Sequence, residues 1–181
     1  MHLLNEMTPE TFTSLILPLK HKLFRYAKSI LGNADDAKDV VQETLLKVWE
    51  KRSEMHQYKS LEAWCMTLTR NFALGKFRAK EHNNTCLDGV NHTIAPTPTA
   101  DQHLEWKDTF RQIETIVGAL SLKQKEVFQL RDVEGYTYQE ISEITGYALE
   151  DVKVSLFRAR KVIKEKLNQI YAHENSKNAY R

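Results

Sequence analysis

Asp36, Asp39 and Glu43 are spaced by three and four residues, which on a helix gathers three carboxylates within an arc of about 60°. Such a trio invites metal binding or acid–base chemistry. No histidine accompanies it, and an enzymatic site is not expected. Edged by the apolar Leu46, the strip suits either docking of a basic protein surface or plain solvation. Tyr58-Lys59-Ser60 and the helix carrying Met66, Arg70, Asn71, Lys76, Phe77, Arg78 and Lys80 mix rings with cations. That mixture holds unpaired bases, which stack on rings while cations meet the phosphates. Lys153, Val154, Phe157, Arg158, Lys161 and Lys164 occupy the arc opposite Val152, Leu156, Ala159, Ile163 and Leu167. A Phe and a Val among cations find cover in a DNA major groove, beside thymine methyls, guanine edges and phosphates. The competing reading is a basic face that is only solvated. His82, Cys86 and His92 offer neither a fourth ligand nor a usual zinc spacing, so no metal site and no cofactor are expected.

The elements that must position these residues are helices. Gly and Pro total ten residues, and apolar positions recur at three and four. Thr8 reads as an N-cap with Pro9 in the first turn, and Phe12, Leu15, Ile16, Leu19, Leu23, Phe24, Ala27 and Ile30-Leu31 follow on one face until Gly32. Pro18 should kink or split this helix. A second helix is expected from near Asp35 to about Arg52, with Val41, Leu45, Val48 and Trp49 inward. A third should span roughly Leu61 to Glu81, burying Leu61, Trp64, Cys65, Leu68 and Phe72 and turning Met66, Arg70 and Phe77 outward.

From Asn83 to Asp101 no helical or strand period survives, and Pro96-Thr97-Pro98 favours extended backbone. Helical pattern resumes near Leu104. Ser121 with Gln124, and Thr137 with Glu140, form capping-box pairs. A short helix with Ile141 and Ile144 then stops at Gly146, and a long one runs from about Leu149 to Ile170, the layout of a helix-turn-helix reader. Tyr147-Ala148-Leu149 supplies no strong N-cap, although Glu150 and Asp151 suit the helix dipole. The expected fold is all-α: a module over residues 1–82, a flexible linker over 83–103, a helix-turn-helix module over 104–172 and a polar, frayed tail over 173–181.

Composition narrows the classes further. Residues 1–80 hold 13 Lys/Arg against 9 Asp/Glu, 81–120 hold 2 against 6, and 121–181 hold 11 against 9. Two basic blocks thus flank an acidic middle and suggest two surfaces for a polyanion. Two cysteines exclude a disulfide scaffold, no apolar run is long enough to span a bilayer, and no signal peptide is recognisable. A cytoplasmic protein is expected.

Three segments together resemble the compact extracytoplasmic-function (ECF) group of bacterial RNA polymerase sigma factors. Asp35-Asp36-Ala37-Lys38-Asp39-Val40-Val41-Gln42-Glu43-Thr44-Leu45 resembles the polymerase-binding helix of that family. Trp64-Cys65-Met66-Thr67-Leu68-Thr69-Arg70-Asn71-Phe72-Ala73 is similar to the segment that melts and reads the −10 element. Leu120 to Phe128, through Leu156-Phe157-Arg158-Ala159-Arg160, resembles the −35-reading module. The resemblance implies core RNA polymerase, promoter DNA and an anti-sigma factor as partners. It places Asp36, Asp39, Gln42, Glu43 and Leu46 on polymerase. Tyr58, Lys59, Arg70, Asn71, Lys76 and Arg78 would meet single-stranded −10 DNA, with the loop Arg52–Ser60 around a flipped base. Lys153, Val154, Phe157, Arg158 and Lys161 would meet duplex −35 DNA. Two departures stand out: Gly75 replaces the family's usual Asp, and Val154-Ser155 replaces the common Ser-Arg. The alternative is a helix-turn-helix regulator that acts without polymerase. It would leave the acidic strip and third helix without a task, and no heptad pattern suggests the dimer it would usually need.

Overall fold

The computed structural model describes residues 8–85 and 115–178, with side chains over 8–82 and 115–170. Their regular elements are all helical. Thr8 caps α1 (Pro9–Leu15), accepting from the Thr11 amide, with Pro9 in the first turn. Pro18 then divides the long apolar pattern as expected: a 3₁₀ turn (Leu17–Leu19) separates α1 from α2 (Lys20–Leu31). The division turns Leu15 outward, to 46% exposure, although periodicity alone set it on the inner face. Gly32 closes α2 in the left-handed region at φ 69°.

Asn33 caps α3 (Ala34–Glu50), accepting from the amides of Asp35 and Asp36. Val41 and Val48 point inward, joined by Ala37, Val40 and Thr44. A 3₁₀ helix (Arg52–Gln57) occupies most of the stretch expected as a loop, and it buries Met55. α4 (Leu61–Thr85) is longer than its pattern suggested and runs into the first residues of the expected linker. The rest of that linker, and the resumption of helix at Leu104, lie outside the described residues.

After a helical turn at 115–118, the Ser121–Gln124 capping box opens α5 (Leu122–Phe128). This helix widens into a π turn over Gln129–Val133, marked by the Glu134 amide donating to the Gln129 carbonyl at 3.0 Å. The Thr137–Glu140 box opens α6 (Tyr138–Thr145), and Gly146 at φ 73° ends it. α7 (Leu149–Asn178) continues into the expected tail as far as Asn178, a stretch that holds neither Gly nor Pro.

The two groups of helices are not independent. Buried Leu23, Tyr26 and Ala27 of α2 and Cys65 and Met66 of α4 share one core with Val127, Leu130, Tyr136, Ile141 and Ile144. α2 packs on α5 and the π turn, and α4 packs on α6. Two expectations for α4 are corrected. Met66 is fully buried, and Phe77 packs partly buried against the core, because α4 is covered on more than one side.

Candidate protein and nucleic-acid interfaces

On α3, Asp39, Gln42, Glu43 and Leu46 line one shallow, open groove. Leu46 is 62% exposed, a large apolar side chain set in an acidic rim. Asp36 is held differently. Its side chain is only 14% exposed and is gripped by Lys80 and by Lys76, whose Nζ lies 3.2 Å away. Burial opposes ionisation of this carboxyl, yet the two lysines hold it below its ordinary value. Lys76 also donates to Asp39 at 2.7 Å, which raises its own pKa. Asp36 and Lys76, assigned on sequence grounds to two different partners, therefore tie α3 to α4.

The single-strand candidates likewise divide. Lys59, Asn71 and Arg78 are exposed, and their side chains bond to no other described residue. Tyr58 stacks on Trp64 with ring centroids 4.3 Å apart and planes 17° from parallel. One face of the tyrosine is thus occupied, and a half-buried tryptophan becomes part of the same surface. Arg70 points the other way. It is 13% exposed and donates from Nε to Glu126 Oε1 at 2.6 Å and from Nη2 to the Tyr147 hydroxyl at 3.0 Å.

Glu126 is the residue that sequence reading missed. Its side chain is fully buried, and besides Arg70 it accepts from the hydroxyls of Tyr147 and, at 3.3 Å, Tyr26. Burial first, and then this carboxylate, push the Tyr147 hydroxyl up to about 12. Two further bridges flank it. Arg25 forks onto Glu134 at 2.9 and 2.7 Å, and Lys22 and Tyr136 both donate to Glu62. The available signal was Glu126 at helical spacing between Leu122 and Leu130, a charge on an apolar stripe.

The face of α7 expected to read duplex DNA is fixed by its neighbours. Val152, Leu156 and Ala159 are buried, while Ile163 and Leu167, expected in the same stripe, are half-buried. Ser155 also turns inward. Val154 is 44% and Phe157 70% exposed, with Arg158 and Lys161 beside them. Arg158 makes no ion pair among the described residues, whereas Lys153 bonds Glu150 at 2.8 Å and Lys161 lies 3.9 Å from Glu165. Arg160 forks onto Asp132, at 2.9 Å from Nε, and fixes α7 to the π turn. Among the described residues no three potential ligands converge on a metal site, and Cys86 and His92 lie outside them. No described helix is long and apolar enough to cross a membrane.

The sequence matches the Sigma-70 region 2 family over residues 15–82 and the Sigma-70, region 4 family over residues 110–163. It is 31% identical over 146 residues to the ECF RNA polymerase sigma factor EcfG of Rhodopseudomonas palustris, covering 80% of this chain and 78% of that one. It is 26% identical to the RNA polymerase sigma factor SigV of Bacillus subtilis, covering 91% and 95%. Its fold is similar to the sigma factor RpoE of Bartonella quintana, solved in complex with the anti-sigma factor NepR. That likeness has a TM-score of 0.75 and 28% identity, over 88% of this chain and 98% of that one.

Proposed function

Because the chain belongs to the ECF sigma factors of bacterial RNA polymerase, we propose that its three exposed surfaces divide promoter recognition among them. As an alternative sigma factor the protein binds core RNA polymerase and directs promoter recognition and melting. In our reading the groove of Asp39, Gln42, Glu43 and Leu46 docks polymerase. Asp36 serves it from behind by fixing α3 to α4. The observation that carries the assignment is Leu46, an apolar side chain left in water within an acidic rim.

Asn71, Lys59, Arg78 and the open face of the Tyr58–Trp64 stack form the single-strand surface, which Arg70 and Lys76 join only when released from their carboxylates. Lys153, Val154, Phe157, Arg158 and Lys161 form the duplex surface. Paired bases can be read only from the groove, so a helix with protruding Phe157 and Arg158 suits the −35 element. Bases that must leave the stack suit rings and a free amide. We divide the chain at 1–82, 83–103 and 104–172 for these tasks, with 173–181 as a tail, and assign its work to the cytoplasm, where polymerase acts. The likeness to RpoE supports an anti-sigma factor as a further partner. A polymerase-independent helix-turn-helix regulator is not favoured, because the region 2 match covers α2, α3 and most of α4.

The test is transcription by reconstituted holoenzyme. Arg158→Ala should weaken closed-complex formation and be bypassed on a pre-melted template lacking a −35 element. Asn71→Ala should spare duplex binding and impair open-complex formation. Failure of both variants at one step would refute this division of labour.

A further inference from the structure

Val152, Leu156 and Ala159 seat α7 in the C-terminal helices. Apolar burial is non-directional, so a stripe of three side chains fixes the depth of a helix more firmly than its rotation. Two ion pairs add the missing constraint. Arg160 forks onto Asp132, at 2.9 Å from Nε, and Lys123 Nζ donates to Asp151 at 2.8 Å. At about 100° per residue, with Val152 taken as zero, Asp151 stands about 100° to one side of the buried stripe and Arg160 about 80° to the other. Both partners belong to one stretch of chain: Lys123 to the first turn of α5, and Asp132 to the π turn that follows it. Turning α7 either way about its axis therefore pulls on one pair or the other. The acid of the Arg160 pair is itself braced. Its neighbour Arg131 donates to the Tyr136 carbonyl at 2.7 Å and lies 5.0 Å from the ring centre of Tyr138 on α6. A π turn within a helix is often found at a functional site.

We propose that Arg160 and Asp132 are positioning residues for duplex reading: they set the rotation at which α7 presents Val154, Phe157 and Arg158, and so govern discrimination among bases. Those three residues lie between the two anchors along the chain and on the arc opposite the buried stripe. Side-chain ends stand about 5–6 Å from a helix axis, so a rotation of about 10° moves them by about 1 Å. A lysine on a flexible stem keeps its phosphate through such a shift. A guanidinium that must meet two acceptors on one guanine edge does not. Recognition sites hold their contacting groups to within about 10–20°, which is the range the two ion pairs restrict. Arg160 itself is engaged by Asp132 on the flank of α7, so it acts through the helix and not by touching DNA. The inference rests on reading α7 as the duplex face.

The test is equilibrium binding of reconstituted holoenzyme to a −35 duplex selected from a random pool and to a panel of duplexes with one base pair of it substituted. The reading is the ratio of matched to substituted affinity. Arg160→Gln and Asp132→Asn should each lower that ratio about tenfold, the order of discrimination that one bidentate base contact supplies. The double variant should lose no more than either single one, because the pair acts as a unit. The exchange Asp132→Arg/Arg160→Asp should recover most of the ratio. The salt slope should not change with Arg160→Gln. A slope that falls by about one, together with an Asp132→Asn variant that binds more tightly, would show Arg160 on a phosphate and overturn the proposal. So would a lowered melting temperature with an unchanged ratio, the mark of a purely structural pair, or losses that add in the double variant. If one single variant melts below the assay temperature, the other decides. Arg158→Ala separates the two levels. A ratio lowered by Arg158→Ala but not by Arg160→Gln or Asp132→Asn overturns the positioning role alone. A ratio that Arg158→Ala leaves unchanged overturns the duplex reading of α7, and this inference with it.

Discussion

Phe157 is the most exposed large apolar residue of the molecule's described surface, at 70%, and its ring projects from the face assigned to duplex DNA. A phenylalanine offers on the order of 200 Å², so about 140 Å² of it stands in water. A groove that covers half of this area removes about 70 Å². At about 25 cal/mol per Å² that corresponds to about 1.5–2 kcal/mol. Alanine keeps the β-carbon, so Phe157→Ala should cost about 1–1.5 kcal/mol, a five- to fifteen-fold loss in affinity at roughly 1.4 kcal/mol per tenfold. Folding should not suffer, because the ring packs little and alanine is the better helix former. The assay is equilibrium binding of holoenzyme to −35 duplexes selected from a random pool, at several salt concentrations, alongside a thermal melt. The salt slope should stay unchanged for Phe157→Ala and fall by about one for Arg158→Ala. Wild-type affinity with unchanged stability would show that DNA does not cover the ring, and the major-groove assignment of α7 would fall.

Asp39→Lys with Glu43→Lys should weaken capture of core polymerase by about 2–5 kcal/mol at unchanged helicity, read by co-purification with core enzyme, if these carboxylates meet desolvated partners there. Gly75→Ala should raise stability by about 0.5–1 kcal/mol, or a few degrees in melting temperature, because nothing lies within 4 Å of the added β-carbon in this helical segment. Asp36→Asn should destabilise by about 1–2 kcal/mol in neutral melts. The pH dependence has a definite sign. The folded carboxyl titrates below its ordinary 3.8, so the Asp36 contribution is fully present above that value and is lost as pH falls through the folded pKa. Asp36→Asn should flatten that part of the acid limb of the stability curve.

Much of this was legible in the sequence because it is local. The caps at Thr8, Ser121 and Thr137, the break at Pro18 and the left-handed stops at Gly32 and Gly146 each depend on residues within one turn. So does the separation of Phe157 and Val154 from buried Val152 and Leu156. What periodicity could not supply was the second neighbour of a helix. Periodicity turns Met66 outward because it discloses a single apolar stripe, whereas α4 packs against α2, α3 and α6. Arg70 and Lys76 read from sequence as surface cations, since their carboxylates lie on other helices, 56 and 37 residues away for Glu126 and Asp39. A cation's partner is a tertiary fact, and only the fold discloses it.

The arginine clasps on Glu126 and Glu134 also bear on how freely such a protein can be recombined. Both acids belong to the C-terminal helices, and each is covered by an arginine from the N-terminal ones. Grafting those C-terminal helices onto a foreign polymerase-binding half would carry two acids to a surface lacking their arginines, and a hybrid would lose the contact even if each half folded. The inheritable unit is then the pair of halves, and exchange of Arg70 with Glu126, or of Arg25 with Glu134, would have to occur on both sides together.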